Sequence, residues 1–83
     1  MFFRKKPVVI EAVQFFDNAE VISAISDFAG TTITVDYSGL TVLKIETLEG
    51  TMIATPRDWI IKGVKGEFYP CRDDIFEATY ERV

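Results

Sequence analysis

The sequence predicts an α+β fold: a small antiparallel sheet of about five to six strands, packed by one amphipathic helix, with a short helix near the C-terminal end. Short segments rich in β-branched and aromatic residues alternate with glycine and proline turns, which is typical of antiparallel strands. One segment has the apolar spacing of a helix instead. The 83 residues have the size of one domain and contain no repeat or linker. We therefore expect residues 1–83 to form a single domain.

A strand followed by a helix opens the predicted fold. β-Branched and aromatic side chains dominate Val8–Phe16, and Pro7 suits the first residue of a strand because its missing N–H matters least there. Asp17 is then expected to cap a helix, with Glu20 completing a capping box. Gly30 is expected to end that helix in a left-handed conformation. The apolar face of the helix consists of Val21, Ile22, Ile25, Phe28 and Ala29.

Three strands joined by tight turns are predicted next. Residues 31–37 alternate apolar and polar side chains, and a two-residue turn at 38–39 would return the chain into a half-buried strand over 40–48. A glutamate and a glycine at 49–50 mark a second turn, which leads into a short strand over 51–55. These segments predict a meander of antiparallel strands.

Two further strands and a helix complete the predicted fold. Pro56 ends the preceding strand and begins a turn. Strands are predicted over 59–64 and 67–71, joined by a lysine–glycine turn. A short helix is expected to begin at residue 73 or 74, with a capping box between Asp74 and Glu77. One face of this helix carries Ile75, Phe76, Thr79 and Tyr80.

The composition restricts the class of protein. A hydrophobic content of 48% excludes intrinsic disorder, and the net charge of −4 disfavours a general nucleic-acid binder, since phosphate neutralisation needs a basic face. Arg4, Lys5 and Lys6 are a local exception that we interpret as a solvated edge. No apolar stretch has the length of a membrane span, and Glu11 interrupts the only segment that resembles a signal peptide. A chain this small gains stability by association, so we expect a homo-oligomer, first of all a dimer.

The candidate catalytic residues are few. Cys71 is the single cysteine, which fits a reducing cytoplasm, and the chain has no histidine to activate it as a nucleophile or to bind a transition metal. Asp58 is expected to make the local hydrogen bonds of a turn. Only Glu67, between Gly66 and Phe68, has no obvious structural role, which makes it the one candidate for acid–base chemistry. We expect no metal, no cofactor and no catalysis.

Aromatic residues predict a binding surface in the C-terminal half of the chain. The candidate binding residues are Trp59, Lys62, Glu67, Phe68 and Tyr69. The rings could stack on a nucleobase while a lysine or Arg57 holds a phosphate. The same rings would serve equally as core or as a dimer interface, where aromatic residues are enriched, and we favour that interpretation.

Several segments together resemble a family of small phage and prophage proteins that is known by its PGDYG motif. They are RKKPVVIEA at 4–12 with Gln14, IETLEGT at 45–51, PRDWIIKGVKGEFYPC at 56–71 and DIFEATYE at 74–81. The chain departs from the family pattern at Arg57, where members have glycine, and at Asp73, where they often have proline. If that glycine needs a positive φ, the turn at Arg57 must differ or be strained.

The resemblance implies a phage or prophage gene whose product acts in the cytoplasm of the bacterial host. It transfers no functional residues, because no activity is established for the family. Our first hypothesis is an accessory protein that binds a host protein or itself through the surface around Trp59, Phe68 and Tyr69. The alternative is a small-ligand or nucleotide binder that uses Trp59 or Tyr69 with nearby basic residues. The third and weakest hypothesis is an enzyme that uses Glu67 or Asp58.

Overall fold

A computed structural model describes all residues from 1 to 83 and contains six strands and two helices. The α+β class, the number of strands and the presence of a second, C-terminal helix agree with the prediction. In chain order the elements are β1 (Glu11–Gln14), α1 (Ala19–Phe28), β2 (Ile33–Asp36), β3 (Val42–Thr47), β4 (Gly50–Ala54), β5 (Trp59–Lys62), β6 (Phe68–Cys71) and α2 (Asp73–Thr79).

The strands form two antiparallel sheets of three, and the prediction of one sheet was wrong. One sheet has the order β1-β5-β6 and the other β2-β3-β4. The turn between β4 and β5 accounts for the division. The Phe15 N–H donates to the Asp58 carbonyl at 2.8 Å, and the Arg57 N–H donates to the Phe15 carbonyl at 2.7 Å. These bonds align β5 with β1, so β4 is left as an edge strand.

One hydrophobic core lies between the two sheets and α1. Its fully buried members are Phe15, Ile25, Leu43, Ile45, Ala54 and Ile60. They come from four strands or their flanks and from α1, so each element contributes one or two side chains to a thin core. A domain of this size buries only a modest fraction of its surface. Burial of each core side chain therefore contributes a large share of the stability.

The helix ends differ from the predicted ones. Asn18, and not Asp17, caps α1, because its Oδ1 accepts the Val21 N–H at 2.9 Å. The helix ends without a left-handed residue, since Ala29 at its end is extended and Gly30 has no positive φ. Helix α2 begins after Arg72 without a side-chain cap, so its predicted capping box is absent. Gly30 instead gives room to the Phe68 ring, which a Cβ would approach to 3.1 Å.

The loop between β2 and β3 is wider than the predicted two-residue turn. It spans residues 37–41, and the Asp36 carboxylate organises it by accepting from the Ser38 N–H at 2.9 Å and the Ser38 hydroxyl at 2.7 Å. Lys44 Nζ lies 3.3 Å from the same carboxylate. The two hydrogen bonds from Ser38 and the interaction with Lys44 lower the pKa of Asp36 from 3.8 to about 2.

This lowered pKa predicts a specific loss of stability in acid. The contribution of Asp36 is fully present above pH 3.8 and is lost as the pH falls toward 2, because the folded protein must then take up the proton. We expect Asp36→Asn to flatten the dependence of the urea midpoint on pH between these values. Asp27→Asn, which removes a carboxylate outside this loop, should keep the wild-type slope. An equal slope in Asp36→Asn and wild type would contradict the prediction.

Candidate functional site

The sheet β1-β5-β6 has one face toward the core and one toward α2. Trp59 pairs with Cys71 and Ile61 pairs with Tyr69, so these four side chains share the face that α2 covers. Phe68, paired with Lys62, lies on the core face. There its ring meets Phe28 edge-on, with the ring centroids 5.5 Å apart.

The structure therefore divides the predicted binding residues. Trp59 and Tyr69 are half-buried on the α2 face, whereas Phe68 is buried on the opposite face and is a core residue. Lys62 is exposed at the end of β5, and Glu67 lies in the turn before β6. The five residues do not all converge on one site, because adjacent positions in a strand point to opposite faces, but Glu67, Phe68 and Tyr69 line one groove.

Three aromatic rings form a column along the α2 face. The Trp59 and Phe76 rings are stacked, with their centroids 4.2 Å apart and an interplanar angle of 8°. The Tyr80 ring follows at 5.0 Å from Phe76, and Lys5 Nζ lies 4.6 Å above the Tyr80 ring. Lys5 also donates to the Tyr80 hydroxyl at 3.2 Å. The column thus joins β5, α2 and the N-terminal segment, and offset or stacked rings of this kind stabilise such contacts.

One carboxylate anchors the end of this column. Asp73 Oδ1 accepts the Trp59 indole N–H at 3.0 Å, and Arg57 Nη2 lies 3.7 Å from Asp73 Oδ2. The carboxylate of Asp73 therefore fixes the indole and draws the guanidinium toward α2. The guanidinium itself is largely exposed, so its ion pair adds little to stability.

Arg57 occupies a backbone position that favours glycine. The Asp58 N–H donates to the Thr55 carbonyl at 3.0 Å, which closes a four-residue turn with Pro56 second and Arg57 third. Arg57 has a φ of 83°, the value for the third residue of a type II turn. A residue with a Cβ is strained at this φ, as the sequence led us to expect for this turn. The family that the sequence resembles has glycine at this position.

We predict that the free energy of unfolding of Arg57→Gly is about 1 kcal/mol larger than that of Arg57→Ala. Both variants lose the exposed ion pair with Asp73, and only the glycine relieves the left-handed strain. Urea unfolding of the two variants measures the difference directly. Equal stability would mean that the turn accepts a Cβ without cost.

The acidic and thiol candidates for catalysis have structural roles. Glu67 Oε2 accepts the Lys65 N–H at 3.0 Å, and its carboxylate lies where a side chain on Gly63 would have to be. Asp58 Oδ2 accepts the Thr55 N–H at 2.9 Å. Burial raises the pKa of the Cys71 thiol, which keeps it protonated and weakly nucleophilic at neutral pH.

Tyr69 is likewise held in its neutral form. Burial, followed by a hydrogen bond with Tyr80, raises the pKa of Tyr69 to about 12. No group of three or more cysteine, aspartate or glutamate side chains is arranged to hold a metal ion. This arrangement offers aromatic surface and hydrogen bonds.

Two apolar grooves lie beside these residues. We call the first the Trp59 groove; its volume is about 230 Å³. Trp59, Phe76 and Tyr80 form one side of it, and the other lining residues are Val8, Val9, Ile10, Ala12, Glu81, Arg82 and Val83. We call the second the Leu48 groove; it has about 270 Å³. It lies between the edge strands of the two sheets and is lined by Thr47, Leu48, Glu49, Met52, Glu67, Phe68 and Tyr69.

The grooves contain residues that the sequence did not mark as functional. Phe76 and Tyr80 were predicted to share a helix face, and that periodicity was the available signal for the aromatic column. Leu48 gave no signal, because a lone leucine at the end of a predicted strand looks like a core residue. Leu48 is exposed because it lies in the turn between β3 and β4. The alternation of apolar and polar residues does not show at which residue that turn begins.

The comparisons with known proteins do not identify the chain. No protein-family model, curated protein or solved structure matches it. The resemblance to the PGDYG family therefore stays a prediction that depends on the residues quoted for it. Neither helix is long and apolar enough to cross a membrane.

Proposed function

We propose that this chain is a phage- or prophage-encoded accessory protein of the bacterial cytoplasm that acts by binding protein. Its first partner is a second copy of itself, and a protein of the bacterial host is the second. The observation that carries the proposal is the distribution of apolar side chains. Eight hydrophobic residues are buried, whereas fourteen large ones are exposed. A small domain with more large apolar groups outside than inside gains stability by covering them with protein.

The grooves favour a protein partner over a small molecule. Pockets for small ligands usually have about 300–1,000 Å³ and enclose most of the ligand. The Trp59 and Leu48 grooves have about 230 and 270 Å³, an adjoining depression beside the Leu48 groove has about 380 Å³, and all three are open to solvent and do not enclose a ligand. Side chains of another protein fit such shallow apolar depressions, in which aromatic residues act as anchors.

The structural roles of the reactive side chains support binding rather than catalysis. The carboxylates of Glu67 and Asp58 accept backbone hydrogen bonds in their own turns, and the Cys71 thiol is held protonated by burial. A general base or nucleophile needs a free lone pair aimed at a substrate. These three groups instead stabilise the turns and the face from which the grooves are built.

The phage or prophage origin is supported by the quoted segments and by one backbone feature. The resembling family has glycine where this chain has Arg57, and Arg57 has the positive φ that explains a glycine there. A shared turn geometry at the most characteristic part of the motif favours a shared fold. The cytoplasmic location follows only if the origin is correct.

Light scattering at several protein concentrations tests self-association. We expect a mass that rises from monomer to dimer with concentration and an assembly that survives moderate dilution. A monomer at every concentration would contradict the choice of a second copy as the first partner. Crosslinking in the bacterial host, with Val9→Ser as the variant of the Trp59 groove and Leu40→Ser as the control outside it, then tests for a host protein.

The nucleotide alternative has one favourable observation. Arg82 lines the Trp59 groove together with Trp59, which places a cation near an aromatic ring. However, Phe76 already stacks on the indole and Asp73 already accepts its N–H. Trp59 is the only tryptophan, so quenching of its fluorescence by ATP at micromolar concentration would favour this alternative.

A further inference from the structure

The first six residues form an apolar and basic arm that has little contact with its own fold. Met1 and Phe2 are fully exposed, and Phe3 is 86% exposed. Residues 1–10 contain no helix or strand, and the side chain of Lys5 attaches the arm to Tyr80. Two adjacent phenylalanines in water are unfavourable, because burial of each ring is among the largest apolar gains available to a chain. We define residues 1–6 as the arm.

The Leu48 groove has the apolar surface that such an arm needs. Leu48 at its rim is 94% exposed, and the exposed Met52 of β4 forms part of its wall. Phe68 and Tyr69 of β6 form the opposite wall. The groove thus lies where the edge strands β4 and β6 of the two sheets approach each other, and its open side can receive apolar side chains of another chain.

The charges of the arm and the groove are opposite. The arm carries Arg4, Lys5 and Lys6, whereas Glu49 and Glu67 line the Leu48 groove. An adjoining depression shares Leu48 and Phe68 with the groove and adds Glu46 and a single cation, Lys65. An arm with two phenylalanines followed by three cations therefore matches an apolar groove with an acidic rim.

Reciprocal exchange would bring the two phenylalanine rings of each arm onto the apolar walls of the groove, and each such ring has roughly 150–250 Å² of surface to cover. The arm of the same chain lies outside the groove in this structure, which leaves the groove open to the arm of a second copy.

We propose that the arm of one copy docks in the Leu48 groove of a second copy, and that the second copy reciprocates. The rings of Phe2 and Phe3 enter between the two sheet edges, and the basic residues of the arm face the glutamates at the rim. This proposal depends on the proposed self-association and specifies its contact.

The test compares arm and groove variants with a matched control by sedimentation velocity. We expect Phe2→Ser/Phe3→Ser and Leu48→Ser each to weaken the dimer Kd, by roughly a hundredfold for the double variant. Leu40→Ser is the control, since Leu40 is also an exposed loop leucine, at 67%, and lines neither groove. All substituted residues are exposed, and an unchanged thermal midpoint checks that each variant is folded.

A charge exchange tests the pairing directly. Arg4→Glu/Lys6→Glu replaces two of the three arm cations with carboxylates, and Glu49→Lys replaces one of the two rim glutamates with a cation, while Lys5 is left in place because it contacts Tyr80. Each variant alone should dimerise more weakly than wild type. A mixture of the two should form a heterodimer, because the arm carboxylates then meet the cation at position 49 and the wild-type arm meets a wild-type rim.

The outcomes distinguish this proposal from the one on which it depends. A wild-type chain that is monomeric throughout overturns both self-association and the arm contact, whereas an arm that folds into its own groove overturns the arm contact alone. A dimer that is insensitive to the arm and Leu48 variants overturns the arm contact alone. Loss of the dimer in the arm and Leu48 variants, with Leu40→Ser unchanged and the heterodimer formed, supports the proposal.

Discussion

Phe15→Ala is expected to lower the free energy of unfolding by about 3–5 kcal/mol. Phe15 is fully buried, and its backbone makes the two hydrogen bonds that align β1 with β5. A domain of this length has a total stability of roughly 4–12 kcal/mol, so the variant should lose at least about a quarter of its stability. Urea unfolding followed by far-UV circular dichroism measures the loss.

The neighbouring residue provides a matched control for this substitution. Phe16 has the same side chain and is 43% exposed. We expect Phe16→Ala to cost less than about 1 kcal/mol, since a side chain that stays partly in water loses little when it is removed. Equal losses in the two variants would mean that the core does not centre on Phe15.

The contrast between these two phenylalanines shows what the sequence could predict about the fold. Both lie in the predicted strand 8–16, but the strand of the structure ends at Gln14. Which ring is buried depends on the turn at Arg57 and Asp58, whose backbone groups bond Phe15 from 42 and 43 residues away in the chain. The periodicity of α1 and the alternation of β2 and β3 are local properties, and the sequence therefore predicted them correctly.

The division into two sheets could not be predicted for the same reason. Strands β4 and β5 are adjacent in sequence and would normally be placed side by side. The turn between them sends β5 to β1 instead, through hydrogen bonds between residues that are far apart in the chain. Local patterns give the strands but not their partners.

The candidate site was predicted in part. Trp59 and Tyr69 were identified from composition, and they do share one face of a sheet. Phe68 was grouped with them because it is adjacent to Tyr69, although alternation sends it into the core. The role of Asp73 as the acceptor for the indole N–H gave no signal, because a hydrogen bond across fourteen residues has no sequence pattern.

Trp59→Ala is expected to release α2 from the sheet and to cost about 3 kcal/mol. Helix α2 has seven residues, none of them buried, and no side-chain cap, so it cannot be stable alone. Its main attachments are the stack of Phe76 on Trp59 and the hydrogen bond from the indole to Asp73. Urea unfolding gives the change in stability.

The reactivity of Cys71 reports the same event independently. Cys71 is the partner of Trp59 across β5 and β6, and burial raises the pKa of its thiol. When the indole is removed and α2 detaches, that pKa falls toward its ordinary value and more thiolate forms. We therefore expect faster alkylation of Trp59→Ala than of wild type at pH 8. An unchanged rate would show that α2 stays in place without the indole.

Trp59→Phe separates the structural role of the ring from its role in binding. A phenylalanine retains a stack with Phe76 and loses only the N–H that Asp73 accepts, so we expect a loss of about 1 kcal/mol in the free energy of unfolding and slow alkylation of Cys71.

Trp59 also forms a wall of the Trp59 groove, so a binding defect in Trp59→Ala would have two explanations: loss of the indole from the groove, or displacement of α2. If Trp59→Phe binds a partner normally while Trp59→Ala does not, the defect comes from the displaced α2. If both variants fail to bind, the indole itself contacts the partner.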